Sequence, residues 1–293
     1  MECNDTADYV IVTDSGADLP YDYMATEGIL CTDLTVYFES TGEEYKNRDV
    51  YLETFYQKMR DGELTKTSAP NPQEFRLVFE EVLKKGLDIL YIGLDSAIST
   101  TIGSSRIACE ELLEEYPLRK IRIIDSLSAS AGLGMLVFEA NKRRCEGMEM
   151  DEVASYIEEL APKVAHRFTV DTLTYLKRGG RVNAASCMVA NVLNIKPVLH
   201  VNANGELIAL SKTRGRKKSI EMLADAYTET AVNPCNGTFF ISHCDCLDDA
   251  HMLESVIKAR HGTSATMITN IGPVIGTHAG PGTLALFFEA TQR

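Results

Sequence analysis

The sequence predicts an α/β protein with two domains: an N-terminal domain built on a parallel sheet and a C-terminal α/β domain built on a mixed sheet. Its 293 residues exceed the comfortable size of one compact core, which favours two domains with a cleft between them. Short apolar runs alternate with amphipathic stretches in the first half, as βα units do. This pattern ends near Asp151, so we expect domains at residues 1–155 and 156–293 with a ligand site between them.

The N-terminal domain is predicted from three strand-like runs that all end in Asp-Ser, namely Tyr9–Ser15, Leu87–Ser96 and Lys120–Ser126. Apolar residues at helical spacing predict helices over Pro72–Lys85 and Thr101–Tyr116. Such long connections favour parallel pairing of the strands. Ligands collect outside the carboxyl ends of parallel strands. We therefore expect six polar residues at a ligand edge: Asp14, Ser15, Asp95, Ser96, Asp125 and Ser126.

Beyond Asp151 the sequence indicates a hairpin, helices and further strands instead of more βα repeats. After a helix at Val153–Leu160, two strand-like runs flank Asn204-Gly205, a dipeptide typical of hairpin turns. The remaining predictions are a helix that ends at Thr230, a strand at Thr238–Ser242, a helix at Cys246–Arg260, a strand at Thr266–Ile271 and a final strand at Leu284–Ala290. This mixture predicts a mixed sheet.

Composition and charge exclude several classes of function. With 45% hydrophobic and 24% charged residues, the chain can bury a core. Its formal charge of −13 repels a phosphate backbone, so nucleic-acid binding is not expected. No apolar run is long enough to span a membrane, and the N-terminus lacks the basic start and apolar stretch of a signal peptide. We therefore expect a cytoplasmic protein.

Eight cysteines are scattered along the chain at irregular spacing. In a reducing compartment this pattern is more typical of free thiols than of a disulfide framework. Cys244 and Cys246 lie beside His243, but no second pair of ligands follows at zinc spacing. We therefore expect no metal site.

Two hydroxyl-rich segments precede predicted helices. TSAPNP (Thr67–Pro72) has two prolines that stiffen the turn, and DSAISTTIGSS (Asp95–Ser105) follows a strand and opens a helix. Hydroxyls near a helix N-terminus suit the binding of an anion. Plain helix capping explains each segment by itself equally well.

Two glycine-rich segments lie in the C-terminal half. LKRGGRV offers Arg178 and Arg181 on a flexible turn, although a solvated basic turn explains it as well. IGPVIGTHAGPG (Ile271–Gly282) surrounds His278 with four glycines, a density that favours close approach of the backbone to another group. His278 could donate to a carboxylate or a phosphate, although a lone histidine is more often structural.

These segments belong to a longer series of motifs that resembles the DegV family, in order and over nearly the whole chain. The motifs are VTDSGADLP (Val12–Pro20), TSAPNPQEF, SAISTT, IRIIDS, YLKRGGRV, LNIKPVLHVNANGEL, KTRGRKK and IGPVIGTHAGPGTLALFF. The resemblance implies a two-domain DegV-like fold with a Rossmann-like N-terminal domain. It also implies a fatty acid buried between the domains, as in the FakB fatty-acid-binding proteins.

The function that the resemblance implies is that of a carrier and not of an enzyme. In the FakB proteins a partner kinase, FakA, uses ATP to phosphorylate the bound acid to an acyl phosphate. A long-chain fatty acid and a FakA-like kinase are thus the implied partners, with a downstream acyltransferase and transient membrane contact as further ones. The only implied small molecule is the fatty acid, and no other cofactor is implied.

The resemblance also implies roles for particular residues. The carboxylate of the fatty acid would be held by Thr67, Ser68, Ser99, Thr100 and His278. Phosphate or kinase contact is implied for Arg181, in the GGR turn, and for Arg214, in KTRGRKK. Thr100 stands where the family pattern commonly has glycine, a change that could narrow the head-group pocket.

Two other functions compete with the carrier. The first is a hydrolase or phosphotransferase that uses Ser99 or Ser68 with His278, but neither serine lies in a G-x-S-x-G elbow and the sequence has no P-loop. The second is a nucleic-acid or regulatory module built on Lys212–Lys218, where five of seven residues are basic. The acidic excess elsewhere and the lack of interleaved aromatic residues favour a docking or solvated face.

Overall fold

The structure, a computed structural model, describes residues 7–182 and 194–293. Its first half comprises β1 (Tyr9–Asp14), α1 (Tyr21–Thr26), β2 (Leu30–Thr32), β3 (Thr35–Phe38), β4 (Glu44–Lys46), α2 (Leu52–Arg60), β5 (Thr65–Ser68), α3 (Pro72–Lys84), β6 (Asp88–Gly93), α4 (Thr101–Glu115), β7 (Ile121–Asp125), α5 (Ala131–Cys145) and α6 (Met150–Leu160). The second half comprises β8 (Val164–Thr169), α7 (Thr174–Arg178), β9 (Ile195–Val201), β10 (Leu207–Arg214), α8 (Arg216–Thr230), β11 (Phe239–His243), α9 (Leu247–His261), β12 (Met267–Asn270), α10 (Pro273–Ala279) and β13 (Leu284–Glu289).

The first half is built on a parallel four-stranded sheet in the order β2-β1-β6-β7. This confirms the predicted parallel sheet, including its three Asp-Ser strands. A second, antiparallel sheet in the order β4-β3-β5 lies beside it. The sequence does not predict this sheet because β4 and β5 are short and polar.

The second half is built on a six-stranded sheet in the order β10-β9-β8-β13-β11-β12. Its pairs are antiparallel except for β11 with β12, so the predicted mixed sheet is confirmed. The predicted hairpin is confirmed as well, since β9 and β10 flank Asn204-Gly205. Gly205 has a φ of +79°, which glycine adopts without strain.

Helix α5 lies between the parallel sheet and the mixed sheet and joins their cores. Ten of its fifteen residues are buried, so it has no polar face and no amphipathic period that would predict it from the sequence. Two glycines allow the close approach. A Cβ at Gly132 would lie 2.6 Å from the His166 ring, and one at Gly134 would lie 2.7 Å from the backbone oxygen of Ala17.

Two further expectations from the sequence concern the domain boundary and the free thiols. The expected domain boundary at residues 155 and 156 falls within α6, which packs on α5 and β7, and it stays a prediction. Free thiols are found at Cys31, Cys109, Cys235, Cys244 and Cys246. Cys145 is disulfide-bonded, so the expectation of free thiols is wrong at that position.

Candidate functional site

A cavity of about 530 Å³ lies where the carboxyl edge of the parallel sheet faces the mixed sheet. This volume falls within the range of about 300–1,000 Å³ that is typical of small-molecule sites. Its walls are mainly apolar and draw on both halves of the chain, with Leu94, Phe168, Leu176, Val201, Val274 and Phe287 among them. An apolar chain could therefore be enclosed between the two sheets.

A group of polar side chains lines part of the cavity, and we call this part the mouth. We define the mouth as Thr67, Ser68, Ser99, Thr100, Arg181 and His278, all of which line the cavity. The structure thus brings together six of the seven site residues predicted from the sequence. Ser68 and Thr100 are exposed there and the other four are partly buried, so this part of the cavity meets the protein surface.

Strand β5 and helix α10 supply one side of the mouth through two successive pairs of side chains. The Thr67 hydroxyl lies 2.9 Å from Nε2 of His278. Two residues earlier, the buried Thr65 hydroxyl lies 3.0 Å from that of Thr277. The Thr65 pair fixes the strand on the helix, and the Thr67 pair faces the cavity.

The other side of the mouth is the loop from Asp95 to Thr100, between β6 and α4. Its Ser99 hydroxyl lies 2.7 Å from that of Thr101, the first residue of α4. Thr100 precedes the helix with a φ of −85°, so its backbone does not need glycine. Its side chain lines the cavity, where glycine would leave more space.

His278 is neutral at physiological pH. Burial, together with the nearby charges of Arg181 and Arg178, lowers its pKa from 6.5 to about 4. Its Nδ1 has no hydrogen-bond partner among the described residues and packs on Gly179, where a Cβ would lie 2.2 Å from it. This contact explains the first glycine of the GGR turn, and it leaves His278 as a neutral hydrogen-bonding group.

Arg181 reaches across the mouth to the loop of Asp95–Thr100. Its guanidinium donates to the Ile98 carbonyl through Nε at 3.2 Å and Nη2 at 3.0 Å. Nη1 donates to the Gly179 carbonyl at 2.7 Å. Burial lowers the pKa of Arg181, yet arginine stays charged at any physiological pH.

Arg214 is the predicted site residue that the structure places elsewhere. It ends β10 and is exposed, and it does not line the cavity. Two neighbours in the basic segment, Lys212 and Lys217, are also exposed, whereas Arg216 forms an ion pair with Asp249 at 2.8 Å. The segment is therefore a largely solvated surface and not part of the cavity lining.

Four of the six residues of the predicted ligand edge line one of two cavities, and the other two line neither. Asp95 and Ser96 line the main cavity, whereas Asp14 and Ser15 line a second cavity of about 300 Å³. Asp125 accepts hydrogen bonds from the Ser96 and Leu127 backbone at 3.2 Å each, and Ser126 is buried. The shared Asp-Ser motif thus does not by itself identify the residues at the mouth.

Sequence reasoning missed several polar residues of the main cavity, including Ser128, Ser130, His166 and Thr283. His166 belongs to β8, whose six residues are all buried and which has no alternating pattern that would mark an inward face. Ser130 precedes α5, which the sequence does not predict. No signal in the sequence separates these residues from ordinary core positions.

The pairing that a serine hydrolase requires is not formed among the described residues. Ser99 bonds to Thr101 and His278 bonds to Thr67, and no hydrogen bond joins His278 to Ser68 or Ser99. Within residues 7–182 and 194–293, no group of three or more His, Cys, Asp or Glu side chains could hold a metal ion. In the same residues, no helix combines the length and apolar character needed to cross a membrane.

Comparison with known proteins gives matches over nearly the whole chain. A family model for the DegV family of uncharacterised proteins matches residues 8–291. A DegV domain-containing protein of Clostridium perfringens is 42% identical over 286 residues, which cover 96% of this chain and 97% of that protein. A DegV domain-containing protein of Caldanaerobacter subterraneus is 34% identical over 280 residues, which cover 95% and 98%.

Solved structures share the fold. A fatty-acid-binding DegV family protein of Thermus thermophilus superposes with a TM-score of 0.87 at 29% identity, over 96% of this chain and 99% of that one. A protein of Thermotoga maritima whose structure revealed a fatty-acid-binding function superposes with a TM-score of 0.81 at 28% identity, also over 96% and 99%. The α/β fold predicted from the sequence, with a parallel sheet and a mixed sheet, is therefore shared with these proteins.

Proposed function

This chain belongs to the DegV family, and on that premise we propose that it binds one long-chain fatty acid in the cavity between its parallel sheet and its mixed sheet. The observation that carries the proposal is an apolar cavity with a mouth of hydroxyls and a neutral histidine. The fatty-acid binding described for the relatives from Thermus thermophilus and Thermotoga maritima supports it.

Affinity would come mainly from the acyl tail. A tail of about sixteen carbons gains roughly 0.8 kcal/mol per buried methylene, which exceeds about 10 kcal/mol in total before the costs of binding. A hydrogen bond to a hydroxyl contributes only about 0.5–1.5 kcal/mol net. The mouth would therefore determine where the carboxylate points more than how tightly the acid binds.

The carboxylate would be held by Thr67, Ser68, Ser99, Thr100 and His278. The hydroxyls and His278 are neutral donors, and Arg181 is already bonded to two carbonyls. A carboxylate held in this way keeps more of its negative charge than one in a buried arginine pair. It would therefore remain a good nucleophile.

We propose that a separate FakA-like kinase uses this nucleophile. A carboxylate oxygen would attack the γ-phosphorus of ATP bound to the kinase, the bond to the β-phosphate oxygen would break, and ADP would leave. The acyl phosphate would stay on this protein, with Arg181 and Arg214 as candidate contacts for the phosphate or the kinase. Transfer to an acyltransferase, with transient membrane contact, would follow.

Native mass spectrometry of the protein as purified tests the binding proposal directly. The expected result is one additional mass that matches a fatty acid. Protein that carries no lipid, and that takes up none from added palmitic acid, would contradict the proposal.

The kinase step needs a separate experiment on Ser99→Ala. We expect lipid affinity to change little and kinase turnover to fall, because the hydroxyl orients the carboxylate and contributes little to tail binding. Unchanged turnover would remove this role of Ser99. Hydrolysis of simple esters, or of ATP without a kinase, would instead favour an enzyme.

A further inference from the structure

Arg181 makes a contact between the two halves of the chain that the proposed carrier function does not explain. Its Nε and Nη2 both bind the Ile98 carbonyl, at 3.2 and 3.0 Å, and Nη1 binds the Gly179 carbonyl at 2.7 Å. The turn that carries Arg181 belongs to the second half, whereas Ile98 lies in the loop after β6. We call Arg181 and the Ile98 carbonyl that it binds the clasp.

The partners of Arg181 are unusual for a half-buried arginine. Among the described residues, no carboxylate lies within ion-pair distance of it, whereas Arg76 and Arg216 pair with Glu115 and Asp249 at 2.8 Å. A guanidinium presents its donors in a rigid fork, and here two prongs of the fork meet one carbonyl oxygen. Hydrogen bonds to two backbone carbonyls, and not a salt bridge, therefore hold the guanidinium of Arg181 in place.

The loop that the clasp holds is also fixed near its base. The Ser96 amide donates to Asp125 at 3.2 Å, and Gly205 of the second half packs closely on Asp95 and Ala97. Asp95 receives hydrogen bonds there from the Ala97 amide at 2.8 Å and the Ser99 amide at 3.1 Å, and its own amide donates to Ser128. Residues 96–100 are exposed or half-buried. Ile98 is the residue of this loop whose carbonyl binds a side chain of the second half, and Ser99 and Thr100 follow it directly.

We propose that Arg181 is a positioning residue that closes the mouth over the fatty acid through the Ile98 carbonyl, so that opening of the clasp limits the rate at which lipid exchanges. This rests on the proposed function. The closed loop places Ser99 at the mouth. Because the clasp stabilises the closed loop with or without lipid, its loss accelerates both uptake and release of lipid and changes the equilibrium affinity less.

The test measures release of radiolabelled palmitic acid from the loaded protein to excess phosphatidylcholine vesicles. We expect Arg181→Ala to release the lipid at least about tenfold faster, a factor that corresponds to the loss of about one charge-assisted hydrogen bond. Arg181→Lys should behave like Arg181→Ala, because lysine keeps the charge but loses the fork. In both variants the dissociation constant should change by a smaller factor than the release rate.

Arg178→Ala is the matched control. Arg178 lies three residues earlier on the same turn, is exposed and stacks on the Tyr175 ring at 5.1 Å without touching Ile98. Its loss removes a cation whose charge acts on His278 and leaves the clasp intact, so release should change less than about twofold. Hydrogen exchange gives a second readout, since the amides of residues 97–99 should exchange faster in the two Arg181 variants alone.

Each alternative outcome overturns the inference. Release that stays slow in Arg181→Lys would show that charge attraction, and not the fork, retains the lipid. Unchanged release in both variants would show that the loop is closed without Arg181. If Arg181→Ala does not fold, Arg181→Lys decides between these results. A wild-type protein that takes up no palmitic acid would contradict the proposed function itself.

Discussion

Two polar regions lie at the carboxyl edge of the parallel sheet, and they use their hydrogen bonds differently. In the first region, Asp14 and Asp18, which we call the acid pair, are buried and saturated by donors. Asp14 accepts from the Gly16 and Leu94 amides and from Tyr91, at 2.7–2.9 Å. In the mouth, hydroxyls and a histidine pair with one another and line a cavity that is open at the surface.

This difference indicates that the two regions have different roles. Burial raises the pKa of Asp14 to about 6 and that of Asp18 to about 7. Asp18 also joins the two halves of the chain, because it accepts from the Gly272 amide at 2.8 Å and from Ser130 at 2.6 Å. The acid pair therefore stabilises the fold, whereas the neutral mouth keeps groups that an incoming carboxylate can use.

Asp14→Ala should have the largest effect if the acid pair is structural. It leaves two amides and the Tyr91 hydroxyl buried without an acceptor, which should lower the free energy of unfolding by about 3 kcal/mol or more. Urea titration measures this. Asp125→Ala is the control, because Asp125 is only half-buried and water can replace it. Equal losses in the two variants would contradict the distinction.

The second largest effect should be the titration of Asp18, which the pH dependence of stability should show. Its pKa in the folded protein, about 7, lies above the ordinary 3.8, so folding favours the protonated form. Its contribution is fully present below about pH 4 and is lost as the pH rises through about 7. Asp18→Asn imitates the protonated form, so we expect a flatter stability profile over this range. A variant profile parallel to that of the wild type would rule out this titration.

The pairs Thr65–Thr277 and Thr67–His278 should differ in their effects on stability and on phosphorylation of bound lipid. Thr65→Ala leaves the buried Thr277 hydroxyl without its partner and should cost about 1–2 kcal/mol of stability while lipid phosphorylation continues. Thr67→Ala should cost less stability, because His278 is nearer to the surface, but it should slow phosphorylation of bound lipid. Urea titration and a kinase assay on both variants check this. Equal effects of the two changes in both assays would show that the two pairs have the same role.

Arg214→Ala should have the smallest effect on the fold. Its side chain is exposed and makes no hydrogen bond or ion pair with a described residue, so stability should change by less than about 0.5 kcal/mol. Lipid affinity should stay the same, while kinase turnover should fall if Arg214 contacts the partner. Thermal unfolding and turnover measured at two lipid concentrations distinguish these effects. A large loss of stability would show that the basic segment is structural.

The predictable parts of the fold are those that leave a local pattern. Strands β1, β6 and β7 appear as apolar runs with polar ends, and Asn204-Gly205 marks its hairpin directly. Strand β8 and most of helix α5 are buried, which removes the alternation of polar and apolar residues that would predict them. Strand β5 is not predicted because its four residues are all polar, a composition that is equally typical of a loop.

By itself the sequence determined the α/β class, the family motifs and six of the residues that meet at the mouth. Only the tertiary structure decided which Asp-Ser pair faces the main cavity, that Arg214 lies outside it, and that Arg181 grips Ile98. The reason is that these outcomes depend on hydrogen bonds between distant segments. Tyr91 lies 77 residues from Asp14, and His278 lies 211 residues from Thr67. A local pattern shows which groups need partners, but the packing of the two halves determines which partners they find.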